Sequence, residues 1–309
     1  INNDPRTGAV VESSHRDIIQ CESNWGRGGT FKIHHNFFDD RSAGAAGACI
    51  ESEHLEGTWL IYNNVFKSNS TGANNTGMFS LLSLTALTSA TTTMTVYNNT
   101  FYAASDMART PSFYNWDNFT FKNNIVYSVP SNWWNMTVND VTQNGNMVVD
   151  YNQYYNTGTS IAIYGESSST YNRTWAQWQA LEGGTIDIHS TRNTLSPTFI
   201  NPSGLNGTDY ALQSGSAGIN VGTNSVSGTV TDDYNGVLRP QGGGWDLGAF
   251  EFVQGGGSDI TPPQVVSASL TNSTTLVINF SEPLNSNTAQ NKNNYSIING
   301  ISVSSAVLS

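Results

Sequence analysis

The chain has 309 residues, of which 11% are charged and 37% hydrophobic, and its polarity comes from 37 Asn and from hydroxyls rather than from ions. Asn and the 29 Gly are poor helix formers, whereas the many Val, Ile, Phe, Tyr and Thr fit pleated strands, so the composition points to an all-β protein. A net charge of -11 excludes the basic surface that nucleic acid or an anionic membrane demands, and no run of about 18 apolar residues is present to insert into a bilayer.

Taken in chain order, the first signal is a repeat. The opening Ile1-Asn2-Asn3-Asp4 resembles one turn of it, so the chain is expected to begin within a solenoid. Five segments then align, at 31–38, 59–66, 94–101, 119–126 and 147–154, on Asn36, Asn64, Asn99, Asn124 and Asn152, which step by 28, 35, 25 and 28 residues. One column holds Phe31, Trp59, Met94, Phe119 and Met147, and two residues on stands a second, Ile33, Ile61, Val96, Phe121 and Val149. Apolar residues at period two mark the buried face of a strand. The column after them, His34, Tyr62, Tyr97, Lys122 and Asp150, suits an outward, solvated row. The aligned Asn then marks a bend whose left-handed backbone a short amide tolerates, and stacked amides can hydrogen-bond as a ladder along the axis. A coil of this size cannot bury its own apolar face, and stacking coils about 4.8 Å apart supplies the core. The dense leucine spacing of leucine-rich repeats is missing.

Cys21 and Cys49 each precede an aligned Asn by 15 residues, which predicts that they stack on adjacent coils within reach of a disulfide. Such a bridge would stabilise the fold by roughly 3 to 4 kcal/mol and would indicate an exported protein.

From Thr174 the period changes. Trp175, Trp178 and Leu181 fall at helical spacing, and Gly183 and Gly184 can stop the helix. Beyond it lie Ser196 to Pro202, Asp209 to Leu212, Gly218 to Gly222, and a close running from Arg239-Pro-Gln-Gly to Gly248-Ala-Phe-Glu251. This order resembles the C-terminal end of secreted bacterial right-handed parallel β-helix proteins, the pectate-lyase-like group. The resemblance implies a right-handed parallel β-helix over 1–252, location outside the cell or at its surface, and a polysaccharide partner. Residues 253–259 read as a linker. Thr261-Pro-Pro begins a further unit, and the alternation around Leu276, Ile278 and Phe280, with Asn294 to Ile297, resembles bacterial immunoglobulin-like modules. A complete module of that kind needs about 100 residues, so 260–309 is expected to be a partial β-sandwich.

Chemistry is expected where ionisable side chains gather. Residues 11–56 hold four of the five histidines and twelve charged residues, against eight in 57–170. Three readings compete. In a polysaccharide lyase, a base takes the proton beside a uronate carboxylate that calcium or a cation neutralises. Lys32 and His34 would face outward on one strand, with Asp39 and Asp40, as calcium ligands, and Arg41 at the corner that follows. The phrases at 33–38 and 61–64 resemble the coil spacing of pectate lyases, although Arg41 stands alone where those enzymes carry paired arginines. In a glycoside hydrolase, Glu51 and Glu53 would share a strand face roughly 7 Å apart, with Trp25, aligned one coil away, stacking on sugar beside His35 and His54. Trp116, Trp133 and Trp134 are further candidates for a sugar groove. In the third reading these charges form a solvated face and the solenoid is a non-catalytic adhesin or a self-assembling surface filament.

Overall fold

Each repeat of the sequence becomes one coil of three short strands, and the coils stack so that like strands pair in parallel. The structure, a computed structural model, describes residues 19–21, 29–40, 49–52, 56–68, 79–81, 92–103, 111–113, 116–128, 136–138, 146–155, 160–164, 172–192, 197–253, 263–281, 284, 289–297 and 302–307. The chain divides into two compact units, residues 1–254 and 255–309.

In the first unit the coils run β1 (Ile19–Cys21), β2 (Thr30–His34) and β3 (Phe37–Asp40); β4 (Ile50–Ser52), β5 (Thr58–Tyr62) and β6 (Val65–Ser68); β7 (Phe79–Leu81), β8 (Thr93–Tyr97) and β9 (Thr100–Ala103); β10 (Pro111–Phe113), β11 (Asn118–Lys122) and β12 (Ile125–Ser128); β13 (Met136–Val138), β14 (Asn146–Asp150) and β15 (Gln153–Tyr155). β16 (Ser160–Tyr164) continues the first ladder, which pairs as two separate sheets, β1–β4 and β7–β10–β13–β16, and β17 (Asn172–Thr174) closes it antiparallel. β18 (Thr191–Arg192) continues the third ladder. These stacked parallel ladders are consistent with a β-helix or solenoid.

The second ladder carries the columns read from the sequence. Phe31, Trp59, Met94, Phe119 and Met147 stand in register, as do Ile33, Ile61, Val96, Phe121 and Val149. From the second coil onward both columns are buried. In the third ladder Phe38, Phe66 and Phe101 stack with centroids 4.9 Å apart, extending the same core. Trp116 belongs to this core rather than to a sugar groove.

The corner between the second and third ladders is held by the amide ladder. Asn64 Oδ1 accepts from both the backbone N and Nδ2 of Asn36, and the pattern repeats from Asn64 to Asn99, Asn99 to Asn124 and Asn124 to Asn152 at 2.9–3.2 Å. Each Nδ2 from Asn64 onward also donates to a carbonyl one coil back, Ile33, Ile61, Val96 and Phe121 in turn. The left-handed residue lies one position earlier than expected, at His35, Asn63, Asn98, Asn123 and Tyr151, with φ between 50° and 57°. The earlier residue absorbs the bend, which leaves the aligned Asn free to bond along the axis.

The ladder ends on Asp187. Its Oδ1 accepts from Asn152 Nδ2 at 3.1 Å and from Ser190 Oγ, and its Oδ2 accepts from Tyr154 OH at 2.9 Å and Trp178 Nε1 at 2.7 Å. The helix expected here is α1 (Trp175–Gln179), started by Thr174 in a capping box, with Trp178 buried. Leu181 falls in the 3-10 turn that follows, and Gly184 ends that turn at a left-handed φ of 84°.

Residues 197–253 then run back along the coils as a strap. Phe199, Tyr210, Leu247 and Phe250 cover the outward side chains of Val65, Tyr102 and Ile125 on the third ladder. Asn63, Asn98 and Asn123, the left-handed residues, donate to the strap carbonyls of Asp232, Asp246 and Thr223. The motif that closes the sequence pattern is a structural clamp. Arg239 Nη1 bonds Glu251 Oε2 at 2.8 Å with both side chains fully buried, and its guanidinium also donates to the carbonyls of Asp232, Asp246 and Gly248.

The expected stacking of the two cysteines is corrected by the register. Ile19 opposes Ile50, and Cys21 opposes Ser52 rather than Cys49. Thr30 follows Cys21 by nine positions but Thr58 follows Ser52 by six, so counting back from the Asn columns misplaces the first strand by three positions. Three positions along a strand are about 10 Å, beyond disulfide reach.

In the second unit, β19 (Val265–Asn272) and β20 (Thr275–Phe280) form an antiparallel hairpin with Ile278 and Phe280 half-buried. Among the described residues of this unit, no other strand is present.

Two outcomes test the ladder. Asn99→Ala leaves the buried Asn64 N–H and the Ile61 and Tyr97 carbonyls without their amide partner, and should lower the unfolding free energy by roughly 3 to 5 kcal/mol in urea titration. Burial raises the Asp187 pKa from 3.8 to about 6, so between those values the folded chain keeps a proton that the unfolded chain has lost. Stability from this group is therefore complete below about pH 4 and lost as the pH rises through about 6, a fall of about 3 kcal/mol. That fall should vanish in Asp187→Asn when the two proteins are compared across this window.

Candidate functional site

The outward row of the second ladder begins at β2, whose alternation leaves Lys32 and His34 exposed while Phe31 and Ile33 turn inward. His34 stacks on Tyr62 of the next coil, with centroids 4.7 Å apart and planes within 5°. His35, next in sequence, is the left-handed corner residue of the first coil. The tight bend brings the two imidazoles together, Nδ1 to Nδ1 at 2.6 Å. On its far side His35 presents Nε2 to Asp232 Oδ1 at 3.4 Å. Asp232 belongs to the strap and is held by its backbone, because its carbonyl accepts from Asn63 Nδ2 at 2.8 Å and from Arg239 Nε at 3.0 Å. Val226, Val230 and Trp245 of the strap pack against Tyr62 and Tyr97, fixing the same edge.

The electrostatics follow from these neighbours. Partial burial lowers the His34 pKa, His35 and Lys32 lower it further, and Asp232 opposes them. These neighbours favour the neutral form of His34. Partial burial and the Asp232 carboxylate raise the Tyr62 pKa, so its hydroxyl stays a donor.

The structure brings together Lys32, His34 and His35 from the candidate set and places Glu51, Asp39 and Asp40 on other strands. Glu51 occupies the middle of β4 opposite Gln20, on the first ladder rather than the second. Asp39 and Asp40 are the last two residues of β3. In register they oppose Lys67 and Ser68, which places an amine rather than a third ligand beside Asp39. Lys67 is itself buried, with Nζ donating to the Gly204 carbonyl at 2.6 Å. Among the described residues no cluster of three or more His, Cys, Asp or Glu suits a metal ion. Trp25, Arg41, Glu53, His54, Trp133 and Trp134 lie outside the described residues.

Two further groups went unread in the sequence. Asp232 is 197 positions from His35, and only the return of the strap brings it there. At the other end of the outward row Asp150 Oδ2 bonds His189 Nδ1 at 2.7 Å, its Oδ1 accepts from the His189 backbone at 2.8 Å, and His189 stacks on Tyr151. The lone histidine outside the charged segment is thus also paired with a carboxylate.

In comparisons with known proteins, no family model, no curated protein and no solved structure matches the chain.

Lys32 is a removable cation beside His34. Lys32→Met should raise the His34 protonation midpoint, read by NMR titration of the imidazole carbon-bound protons. An unchanged midpoint would separate Lys32 from the site.

Proposed function

We propose that this protein is a secreted or cell-surface right-handed parallel β-helix of the pectate-lyase-like kind, followed by the opening strands of an immunoglobulin-like module. Its proposed role is to bind extracellular polysaccharide and to cleave a uronate-containing chain at the His34 corner. The observation that carries the reading is the convergence of Lys32, His34, His35, Tyr62 and Asp232 at one exposed corner of a rigid ladder. Ionisable side chains from two distant parts of the chain gather there on strands whose positions are fixed by the amide ladder, as a site for proton transfer requires.

The chemistry that suits this set is β-elimination. His34 takes the proton at C5 of a uronate, the released electron pair forms the C4–C5 double bond, and the C4–O bond breaks. The leaving oxygen takes a proton from water. Lys32, two positions along the same strand and roughly 7 Å away, stands where an ammonium can oppose the uronate carboxylate as charge builds on it. Tyr62 and Tyr97 supply ring edges and hydroxyls along the direction in which a sugar chain would run. The net charge of -11 favours a second reading, a non-catalytic adhesin or filament protein holding a neutral glycan, because the surface as a whole repels a polyanion.

Incubation with uronate and neutral polysaccharides, with and without calcium, separates the two. Ultraviolet absorbance of unsaturated ends is the expected product signal with a uronate polymer, and it should fall at least about 100-fold in His34→Ala. Retention of a neutral glycan without any new absorbance or reducing ends would overturn the lyase and leave the adhesin.

A further inference from the structure

We propose that Asp232, His35 and His34 form a carboxylate–imidazole–imidazole relay that fixes the tautomer of His34, leaving Nε2 as its bare, proton-accepting nitrogen. The inference deepens the site reading above and rests on it for its catalytic meaning, but the tautomer is a property of the resting protein.

The Nδ1 atoms of His34 and His35 lie 2.6 Å apart, a distance two neutral imidazoles reach only by sharing one proton, so one ring donates and the other accepts. The far nitrogen of His35 decides which. Nε2 of His35 has two neighbours at 3.4 Å, Asp232 Oδ1 and Asn63 Nδ2. Asn63 Nδ2 gives one proton to the Asp232 carbonyl at 2.8 Å, its second lies within reach of Asp232 Oδ1 at 3.5 Å as well as of His35 Nε2, and a full carboxylate charge outweighs an amide dipole at equal distance. The proton therefore sits on His35 Nε2, facing Asp232. His35 Nδ1 is then a lone pair, the shared proton belongs to His34 Nδ1, and His34 Nε2 carries none.

Free imidazole prefers the opposite tautomer, with the proton on Nε2, so the arrangement is imposed rather than inherited. When His34 Nε2 accepts a proton, the Nδ1 proton can move across the 2.6 Å contact to His35, which places the new positive charge next to Asp232. Asp232 and His35 are positioning residues in this scheme and His34 is the base. Among the described residues, the other groups facing the pair are Lys32 on the same strand, the Tyr62 ring stacked on His34, and Arg239, whose Nε holds the Asp232 carbonyl.

Long-range proton–nitrogen NMR on histidine-labelled full-length protein reads each tautomer directly, and the chain has only five histidines to assign. At neutral pH the relay gives His34 as the Nδ1–H form and His35 as the Nε2–H form. Asp232→Asn offers an amide N–H to His35 Nε2 and should invert both rings. His35→Asn should return His34 to the Nε2–H form, and it keeps the fold, because Asn already occupies this left-handed position in the next three coils. His34 found as Nε2–H in the unaltered protein, or tautomers unmoved by both variants, would overturn the relay whether or not any polysaccharide is cleaved. The expected tautomers without cleavage would keep the relay and overturn the lyase instead.

Discussion

The amide ladder is the constraint from which the rest of the first unit follows. At the corner between the second and third ladders the chain bends sharply, and the backbone N–H of each aligned Asn points along the axis, where no strand can accept it. The Oδ1 of the next coil accepts it together with a side-chain Nδ2 proton, while the other Nδ2 proton reaches back to a carbonyl. One buried residue thus ties three successive coils. The amide fits only if those coils are in register, and a slip of one residue would turn every apolar column outward. Register fixed at this single corner frees the other corners to vary, which is why the repeat can step by 25 or by 35 residues without disturbing the core.

The same corner also organises what lies outside the core. The residue before each ladder Asn is left-handed, and its side chain faces outward, where Asn63, Asn98 and Asn123 hold the carbonyls of the strap. The strap is in turn locked by the buried Arg239–Glu251 pair. Removing one partner of such a pair strands a charge and costs about 3 to 5 kcal/mol, so the clamp is strong only as a unit. Its consequence for the site is positional: the carbonyl of Asp232 is gripped on one side by Arg239 and on the other by Asn63, and its carboxylate is left beside His35.

The columns of the second ladder were legible because they depend on spacing within eight residues, and the ladder was legible because the same Asn recurs at the end of each segment. The helix at Trp175–Gln179 followed from equally local spacing. What failed depended on corner lengths or on distant return of the chain. The arithmetic that stacked Cys21 on Cys49 assumed corners of equal length, and the corner after β1 is three residues longer. The charged segment 11–56 reads as one cluster in sequence, yet it spans all three ladders, so Glu51 and His34 occupy different faces. The Arg239 to Glu251 motif was visible in the sequence only as a resemblance; its meaning as a buried ion pair needed the strap. Asp232 had no local signal at all.

The identity of residue 35 carries the remaining weight. A left-handed backbone suits Asn, whose short amide bonds locally, and is costlier for a larger ring. Three coils place Asn there and use it to hold strap carbonyls. The Asp232 carbonyl already accepts from Asn63 of the next coil and from Arg239, so an amide at 35 would gain little by holding it. What remains within reach is a carboxylate on one side and the His34 imidazole on the other. An imidazole is the side chain that can bond both at once through two nitrogens of opposite character, transmitting from one to the other which is protonated. The left-handed position is filled by a ring at both ends of the row, His35 and Tyr151, and of these two rings His35 is the one whose nitrogens stand between a carboxylate and a second imidazole, the kind of place where function departs from local preference.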